Sequence, residues 1–270
     1  MNIAVCIKQV PDTPSIRMDR ERMTIIRDGV ESVINPLDYV ALQAALDLRD
    51  RKGGEVVVIT MGPPQSEEAL REAIAAGADR AILVTGAAFS GADTLATSHV
   101  LAVAISKLDP FPDLVLCGAH TTDSDTAHVG PQMAEELNLP QICGVNEIHM
   151  EEDYLTVKRL SDGFVETLQV SLPALLTVTQ ELCSVGHLPL GDLQIAFSER
   201  EITQWGPEDL GLKEEEVGLR GSATQVWKLS VPPPRREGDL ISGSPQTLVD
   251  HLIRKLEDLS ILDEEDGYKS

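Results

Sequence analysis

Residues 55–85 read EVVVITMGPPQSEEALREAIAAGADRAILVT, and this stretch decides the fold. Two short aliphatic runs, 55–61 and 80–85, flank a segment with the composition of a helix. An apolar run without alternation is typical of a strand that is covered on both faces. A strand, a helix and a second strand in this order predict a βαβ unit, in which the two strands are parallel.

The same pattern recurs on both sides of this unit. Asn35 followed by Pro36 predicts the start of one helix, and Asp93 or Thr94 predicts the start of another. We therefore expect an α/β fold with a Rossmann-like parallel sheet and helices on both faces, of the type that binds adenine nucleotides. The further predicted elements are strand 2–7, helix 36–52, helix 91–108, strand 113–118 and helix 131–137.

Beyond about residue 145 the pattern changes. Residues 154–171 alternate apolar and polar side chains around Asp162-Gly163, a pair that favours a two-residue hairpin turn. Residues 173–179 return to the pattern of a buried strand. The chain after 180 is irregular up to a final amphipathic helix, and an arm of this length without its own core predicts a partner chain.

Composition excludes several classes of function. Acidic residues outnumber basic ones 44 to 22, and the formal net charge of −22 argues against nucleic acid and against an anionic membrane surface. We expect no membrane insertion, because no run of about 18 apolar residues occurs, and we expect a cytoplasmic protein, because the N-terminus lacks a signal-peptide pattern. The four cysteines and six histidines show no metal-ligand spacing, so we expect no metal centre. No nucleophile–base pair stands out, and we predict no catalytic residue.

The loop 118–128, GAHTTDSDTAH, follows a predicted strand and precedes a predicted helix. Ligands of open parallel sheets lie at the carboxyl ends of the strands, and a helix N-terminus receives phosphate readily. Two interpretations remain open: the polar residues bind a nucleotide, or they only cap helices. Asp123 and Asp125 would repel phosphate, so at least one should point away from it. Lys8 is either a phosphate contact or a solvated charge.

Several motifs, taken together, resemble the beta subunit of electron transfer flavoproteins over nearly the whole chain. They share their order and spacing with that family. The motifs are VCIKQVPDT at 5–13, INPLDYVALQAALDLRD at 34–50, GADTLATSHVLA at 91–102, DLVLCGAHTTDSDTAHVGPQMAE at 113–135 and VKRLSDGFVETLQVSLPALLTVT at 157–179.

The resemblance implies a heterodimer with an alpha subunit that holds an FAD. The beta subunit covers that flavin and binds an AMP moiety of its own, and the complex passes electrons between flavin dehydrogenases and a quinone reductase or another acceptor. The chain would then be an electron-carrier subunit and no enzyme by itself. By position, the resemblance implies cofactor binding by Cys6, Asn35, Pro36, Leu37, Asp38, Met61, Thr94, Thr97, Gly118, Ala119, His120, Thr121, Thr122, Asp123, Ser124, Asp125, Thr126, Ala127, His128 and Val129.

Two kinds of family member resemble the chain differently. In ordinary members the AMP moiety is free AMP; in electron-bifurcating members it belongs to a second FAD that oxidises NADH. The loop is similar to the bifurcating pattern D-G-D-T-A-Q-V-G-P, with Ser124 and His128 in place of its Gly and Gln. The resemblance thus favours a second FAD over AMP.

The resemblance also implies a division of the chain. It consists of a nucleotide-binding domain at 1–180 with a hairpin near 153–171, a partner-recognition segment at 181–205, and an arm at 206–270 that packs on the alpha subunit. Leu190 lies where the family has its anchoring leucine, but Glu199 and Glu201 stand where the family has lysines. The alternative function is a stand-alone AMP- or ATP-binding sensor or adenylating protein of the same fold.

Overall fold

The computed structural model describes residues 1–12, 17–19, 24–26, 31–152, 154–227, 238 and 240–262. The strands in these ranges are β1 (Asn2–Cys6), β2 (Gln9–Pro11), β3 (Arg17–Asp19), β4 (Thr24–Ile26), β5 (Ser32–Ile34), β6 (Glu55–Met61), β7 (Arg80–Val84), β8 (Leu114–Gly118), β9 (Gln141–Met150), β10 (Tyr154–Ser161), β11 (Phe164–Ser171), β12 (Ala174–Val178) and β13 (Thr203–Trp205). The α-helices are α1 (Pro36–Lys52), α2 (Glu67–Ala76), α3 (Thr94–Ser106), α4 (Val129–Glu136), α5 (Leu190–Ser198), α6 (Pro207–Leu210), α7 (Gly218–Gly221) and α8 (Pro245–Asp258).

A nine-stranded sheet forms the centre, in the order β11-β10-β9-β12-β8-β1-β6-β7-β13. Seven neighbouring strands of this sheet are parallel: β9, β12, β8, β1, β6, β7 and β13. β10 and β11 add an antiparallel hairpin beside β9. Two small sheets, β2–β5 and β3–β4, lie between β1 and α1 in the sequence. The predicted α/β fold with a parallel sheet is therefore confirmed, and so is the hairpin around Asp162-Gly163.

The direction of chain progression reverses at β1. From β1 the chain runs through α1 to β6 and through α2 to β7, and α3 then returns it past β1 to β8 on the other side. In an open parallel sheet such a reversal leaves a crevice beyond the carboxyl ends of the two strands concerned. The topology thus places a candidate site at the ends of β1 and β8.

The two faces of the sheet build separate hydrophobic clusters. Ile3 and Val5 pack in a buried cluster with residues of α1 and α2, whereas Ala4 and Cys6 pack in a second cluster with residues of α3 and α4. Successive side chains of a strand point to opposite faces, so a continuous apolar strand supplies both clusters at once. This explains why the central strands show no alternation.

Several elements were not predicted from the sequence, among them β9, β13 and α5. β9 contains Gly, Asn, Glu and His, yet it is a strand because β12 and β10 hydrogen-bond to its two sides. β13 has only three residues and is held as the sheet edge by β7, and α5 lies in the segment expected to be irregular. In each case the neighbouring elements override a weak local preference.

The chain forms two compact units, Met1–Leu229 and Ser230–Ser270. The first unit includes β13, which belongs to the main sheet, and α7, which contacts α3. The second unit contains the predicted amphipathic helix α8, whose N-cap Ser244 accepts a hydrogen bond from the N–H of Thr247. None of the helices in the described ranges combines the length and the apolar character needed to cross a lipid bilayer.

Gly130 sets how closely α4 packs on the sheet. A Cβ at this position would lie 2.5 Å from Thr177 Cγ2 and 3.0 Å from Cys117 Sγ. We expect Gly130→Ala to lower the free energy of unfolding by about 1–3 kcal/mol, the usual cost of overpacking a core. Urea unfolding of the full chain would measure this change.

Gly191 in α5 provides the matched control, since a Cβ there meets nothing within 4 Å. Gly191→Ala should change stability by no more than about 0.5 kcal/mol in the destabilising direction. Equal losses in the two variants would contradict the packing argument.

Candidate functional site

A buried carboxylate joins the ends of the two strands at the crevice. Asp38 Oδ2 accepts a hydrogen bond of 2.8 Å from the N–H of Lys8, just after β1. Asp38 Oδ1 accepts one of 2.9 Å from the N–H of Gly118, the last residue of β8. Burial raises the pKa of the Asp38 carboxyl to about 7, against the lowering effect of these two donors and of Asn35.

Gly118 leaves room for this carboxylate. A Cβ on residue 118 would lie 2.5 Å from Asp38 Oδ1 and 2.8 Å from Leu37 Cβ. The start of α1 therefore approaches the end of β8 as closely as only a glycine allows. The contact explains a glycine that the sequence analysis associated only with a loop.

Asn35 ties α1 to the loop 118–128. It occupies the predicted N-cap position of α1, but its side chain makes no capping hydrogen bond. Its Nδ2 donates instead to the carbonyl of His120 (3.0 Å), and its Oδ1 accepts from the N–H of Thr122 (3.2 Å). The prediction was right about the position and wrong about the role, because the amide of this buried Asn forms its hydrogen bonds away from the first turn of α1.

The second half of the loop presents unused backbone donors. Asp125 and Ala127 have positive φ values of 51° and 56°, which turn the chain into the start of α4. Among the described residues, the backbone N–H groups of residues 126–130 have no hydrogen-bond acceptor. Successive N–H groups of this kind at a helix N-terminus form an anion-binding concavity.

Both carboxylates of the loop contact basic side chains. Asp123 Oδ2 lies 2.7 Å from Lys8 Nζ, and Asp125 Oδ1 lies 2.8 Å from His120 Nδ1. Their charges are thus directed to side-chain partners inside the site. Lys8 is thus an ion-pair partner of Asp123, which lies 115 residues away in the chain, so no local sequence signal indicates the pair.

The first turn of α3 lies beside the first turn of α4. Ser98 Oγ donates to the carbonyl of Thr94 (2.6 Å) and lies 3.0 Å from Gln132 Oε1. Of the two predicted caps, Asp93 is the N-cap: its Oδ1 accepts from the N–H of Ala96. The helix start that carries Thr94 and Thr97 is therefore a neighbour of the loop, as the site requires.

The remaining predicted residues lie at the margin of this arrangement. Pro36 and Leu37 form the first turn of α1, and Met61 ends β6 and packs on the α3–α4 cluster. Cys6 is buried with its Sγ against Met133 Sδ, and burial raises the pKa of its thiol to about 12. The thiol thus stays protonated. The other predicted residues, Ala119, Thr121, Ser124, Thr126, His128 and Val129, lie in the loop 118–128 or at the start of α4.

Leu190 lies apart from the crevice, as the first residue of α5, and 82% of its surface is exposed. Arg71 of α2 connects α2 to this helix. Its Nη1 donates hydrogen bonds to the carbonyls of Ala196 (2.7 Å), Phe197 (3.3 Å) and Arg200 (3.2 Å). The exposed leucine thus stands on a helix fixed to the body of the protein.

Comparisons with known proteins give a consistent result. The sequence model of the family "Electron transfer flavoprotein domain" matches residues 22–205. The chain is 44% identical to an "Electron transfer flavoprotein subunit beta" of Thermoanaerobacterium thermosaccharolyticum over 95% of this chain and 98% of that protein. It is 43% identical to the "Caffeyl-CoA reductase-Etf complex subunit CarD" of Acetobacterium woodii, over 97% of this chain and 100% of that protein. It is 42% identical to the "Protein FixA" of Azorhizobium caulinodans, over 95% and 94%.

Asp38 makes the stability of the fold depend on pH. Its pKa rises from 3.8 to about 7 on folding, so the folded state binds more protons than the unfolded state between these values. Its contribution is fully present below about pH 4 and is lost as the pH rises through 7, by up to about 4 kcal/mol.

Urea unfolding of the wild-type chain and of Asp38→Asn between pH 4 and 8 tests this dependence. The Asn variant lacks the titrating group, so the wild-type free energy of unfolding should fall relative to that of the variant as the pH rises. A difference between the two proteins that is the same at every pH would contradict the assignment.

Proposed function

The chain belongs to the electron transfer flavoprotein family, and from this membership we propose that it is the beta subunit of a two-chain electron carrier. In this proposal the crevice at the ends of β1 and β8 binds the AMP moiety of a nucleotide. An alpha subunit holds an FAD, and the complex passes electrons between flavin dehydrogenases and a quinone reductase or another acceptor. The chain by itself is a carrier subunit without catalytic residues.

The observation that carries the nucleotide site is the set of unused N–H donors at residues 126–130. A phosphate group satisfies several such donors at once and is favoured by the partial positive charge of the helix start. A phosphate bound at this position would supply the acceptors that the described residues do not provide.

The chain's own residues have three tasks at this site. Asn35 and Asp38 fix the loop to α1 and to β1, so the N–H groups are positioned before a ligand arrives. Thr94 and Thr97 place two hydroxyls on the neighbouring helix start. A bound flavin would supply the redox chemistry, while the protein supplies position and electrostatics.

We propose that the AMP moiety belongs to a second FAD. Support comes from the loop sequence, which is similar to that of electron-bifurcating members of the family. One of the relatives, CarD, is named as a subunit of a caffeyl-CoA reductase-Etf complex. In this form the complex would oxidise NADH and divide the electron pair between two acceptors.

The rival function, a stand-alone nucleotide sensor, is less well supported. α8 is amphipathic, with Leu248, Leu252 and Leu256 along one side. In the described part of the unit 230–270, no other helix or strand is present to cover that side. An apolar helix side of this kind suits a protein that works with a partner chain, here the alpha subunit.

The amounts of FAD and AMP in the purified complex decide between the two ligands. We expect co-expression with the alpha subunit, followed by acid release of the ligands, to yield two FAD and no AMP per heterodimer. One FAD and one AMP would make the site structural and would exclude bifurcation through it. Release of neither nucleotide beyond the alpha subunit's FAD would overturn the nucleotide site itself.

The exposed leucine and the acidic residues near it predict an unusual choice of partner. Glu199 and Glu201 follow the helix that carries Leu190 and are both exposed. Since like charges slow association, a generic medium-chain acyl-CoA dehydrogenase that docks on basic carriers should reduce the complex slowly. Glu199→Lys together with Glu201→Lys should raise this rate about tenfold at low salt, with the gain lost at high salt.

The double substitution Glu151→Lys and Glu152→Lys, at exposed positions between β9 and β10, changes net charge equally and is the control. It should leave the rate near that of the wild type. Rapid reduction of the wild-type complex by the dehydrogenase, at the rate of the lysine variant, would contradict the prediction.

A further inference from the structure

Lys8 has a fixed backbone and a directed side chain. Its N–H donates to Asp38 Oδ2 and its carbonyl accepts from the N–H of Asn35, both at 2.8 Å. From this fixed point the side chain spans to the loop 118–128. There Nζ lies 2.8 Å and 2.7 Å from the two oxygens of Asp123.

Asp123 is an ionised group in the middle of the phosphate loop. Burial alone would raise its pKa, but the hydrogen bonds from Lys8 and Thr121 bring that pKa below the usual value. The carboxylate stands three residues before the first unused N–H, that of Thr126. Without a counter-charge it would repel a phosphate bound to those N–H groups.

Stability does not explain the pair. The side chains of Lys8 and Asp123 are 44% and 30% exposed, and exposed ion pairs of this kind stabilise a fold little. In the loops of the site, at 6–10, 35–38, 61–63, 91–97 and 118–129, Lys8 is the only lysine or arginine. The chain has a net charge of −22, and Lys8 neutralises one of these negative charges, that of Asp123.

We propose that Lys8 is a positioning residue of the nucleotide site, which neutralises Asp123 so that the phosphate of an AMP moiety can approach α4. Lys8 acts through Asp123 and does not itself bind the phosphate. This inference rests on the proposed nucleotide site. It assigns the role of the charge, whereas the N–H groups of residues 126–130 remain the phosphate ligands.

A double-mutant cycle tests the proposal on the nucleotide-free heterodimer, with AMP as the probe in titration calorimetry. Lys8→Met should weaken AMP binding about tenfold, because it exposes the phosphate to an uncompensated carboxylate. Asp123→Asn should bind AMP at least as tightly as the wild type. The double variant should match Asp123→Asn within about twofold, because the lysine has no task once the carboxylate is gone.

Adenosine, which has no phosphate, separates electrostatics from loop structure. Its affinity should be the same in all four proteins, whereas damage to the loop would weaken adenosine and AMP together. Parallel loss of adenosine binding in Lys8→Met would therefore overturn the proposal. An equal loss of AMP affinity on Lys8→Met in the Asp123→Asn background would also overturn it, because Lys8 would then contact the phosphate directly.

Three further outcomes are also decided by this set of proteins. If Lys8→Met does not fold, the comparison of Asp123→Asn with the double variant still measures whether Lys8 acts without the carboxylate. If the wild-type complex binds AMP but all variants bind it equally, Lys8 has no positioning role and the nucleotide site stands. If the wild-type complex binds neither probe, the proposed site falls, and this inference falls with it.

Discussion

One buried carboxylate determines much of the crevice. Asp38 accepts hydrogen bonds from the N–H groups of Lys8, just after β1, and of Gly118, at the end of β8. These are the two strands between which the chain reverses direction. Because the group is buried, neither strand end can move without leaving a polar group unpaired. The requirement for glycine at 118 and the tether from Asn35 follow from the same close approach of α1 to the loop. The first half of the loop is thereby held in place, and the second half presents its backbone N–H groups at the start of α4.

Local sequence information predicted the parts of the fold that depend on neighbours in the chain. The βαβ unit at 55–85, the hairpin at Asp162-Gly163 and the start of α1 at Pro36 all carry their signal within a few residues. β9 and β13 carry no such signal, since each is a strand only because distant strands pair with it. An element is therefore predictable when the interactions that form it are local in the chain, whereas its length matters less.

The same limit applies to the site. The sequence predicted which loops meet, because strand ends of a parallel sheet share one edge. It did not predict which side chains meet there: Asn35 was assigned to its own helix but bonds to residues 120 and 122. The sequence does not decide whether Lys8 is a phosphate contact or a solvated charge, because its partner Asp123 is distant in the chain. Pairing of side chains across loops is fixed by backbone geometry that a linear pattern does not contain.

The attachment of α5 has a consequence for how the exposed surface of this helix can change over evolution. Arg71 donates hydrogen bonds to the backbone carbonyls of Ala196 and Phe197 in this helix and of Arg200 just beyond it, and its guanidinium also lies 5.7 Å from the centre of the Phe197 ring. Every amino acid supplies a carbonyl, so these hydrogen bonds do not depend on the side chains that the helix displays at its other positions. Substitutions on its outer surface can accumulate while the helix stays in place. The exposed side of α5 can thus change in charge and shape by small steps, each of which preserves the scaffold.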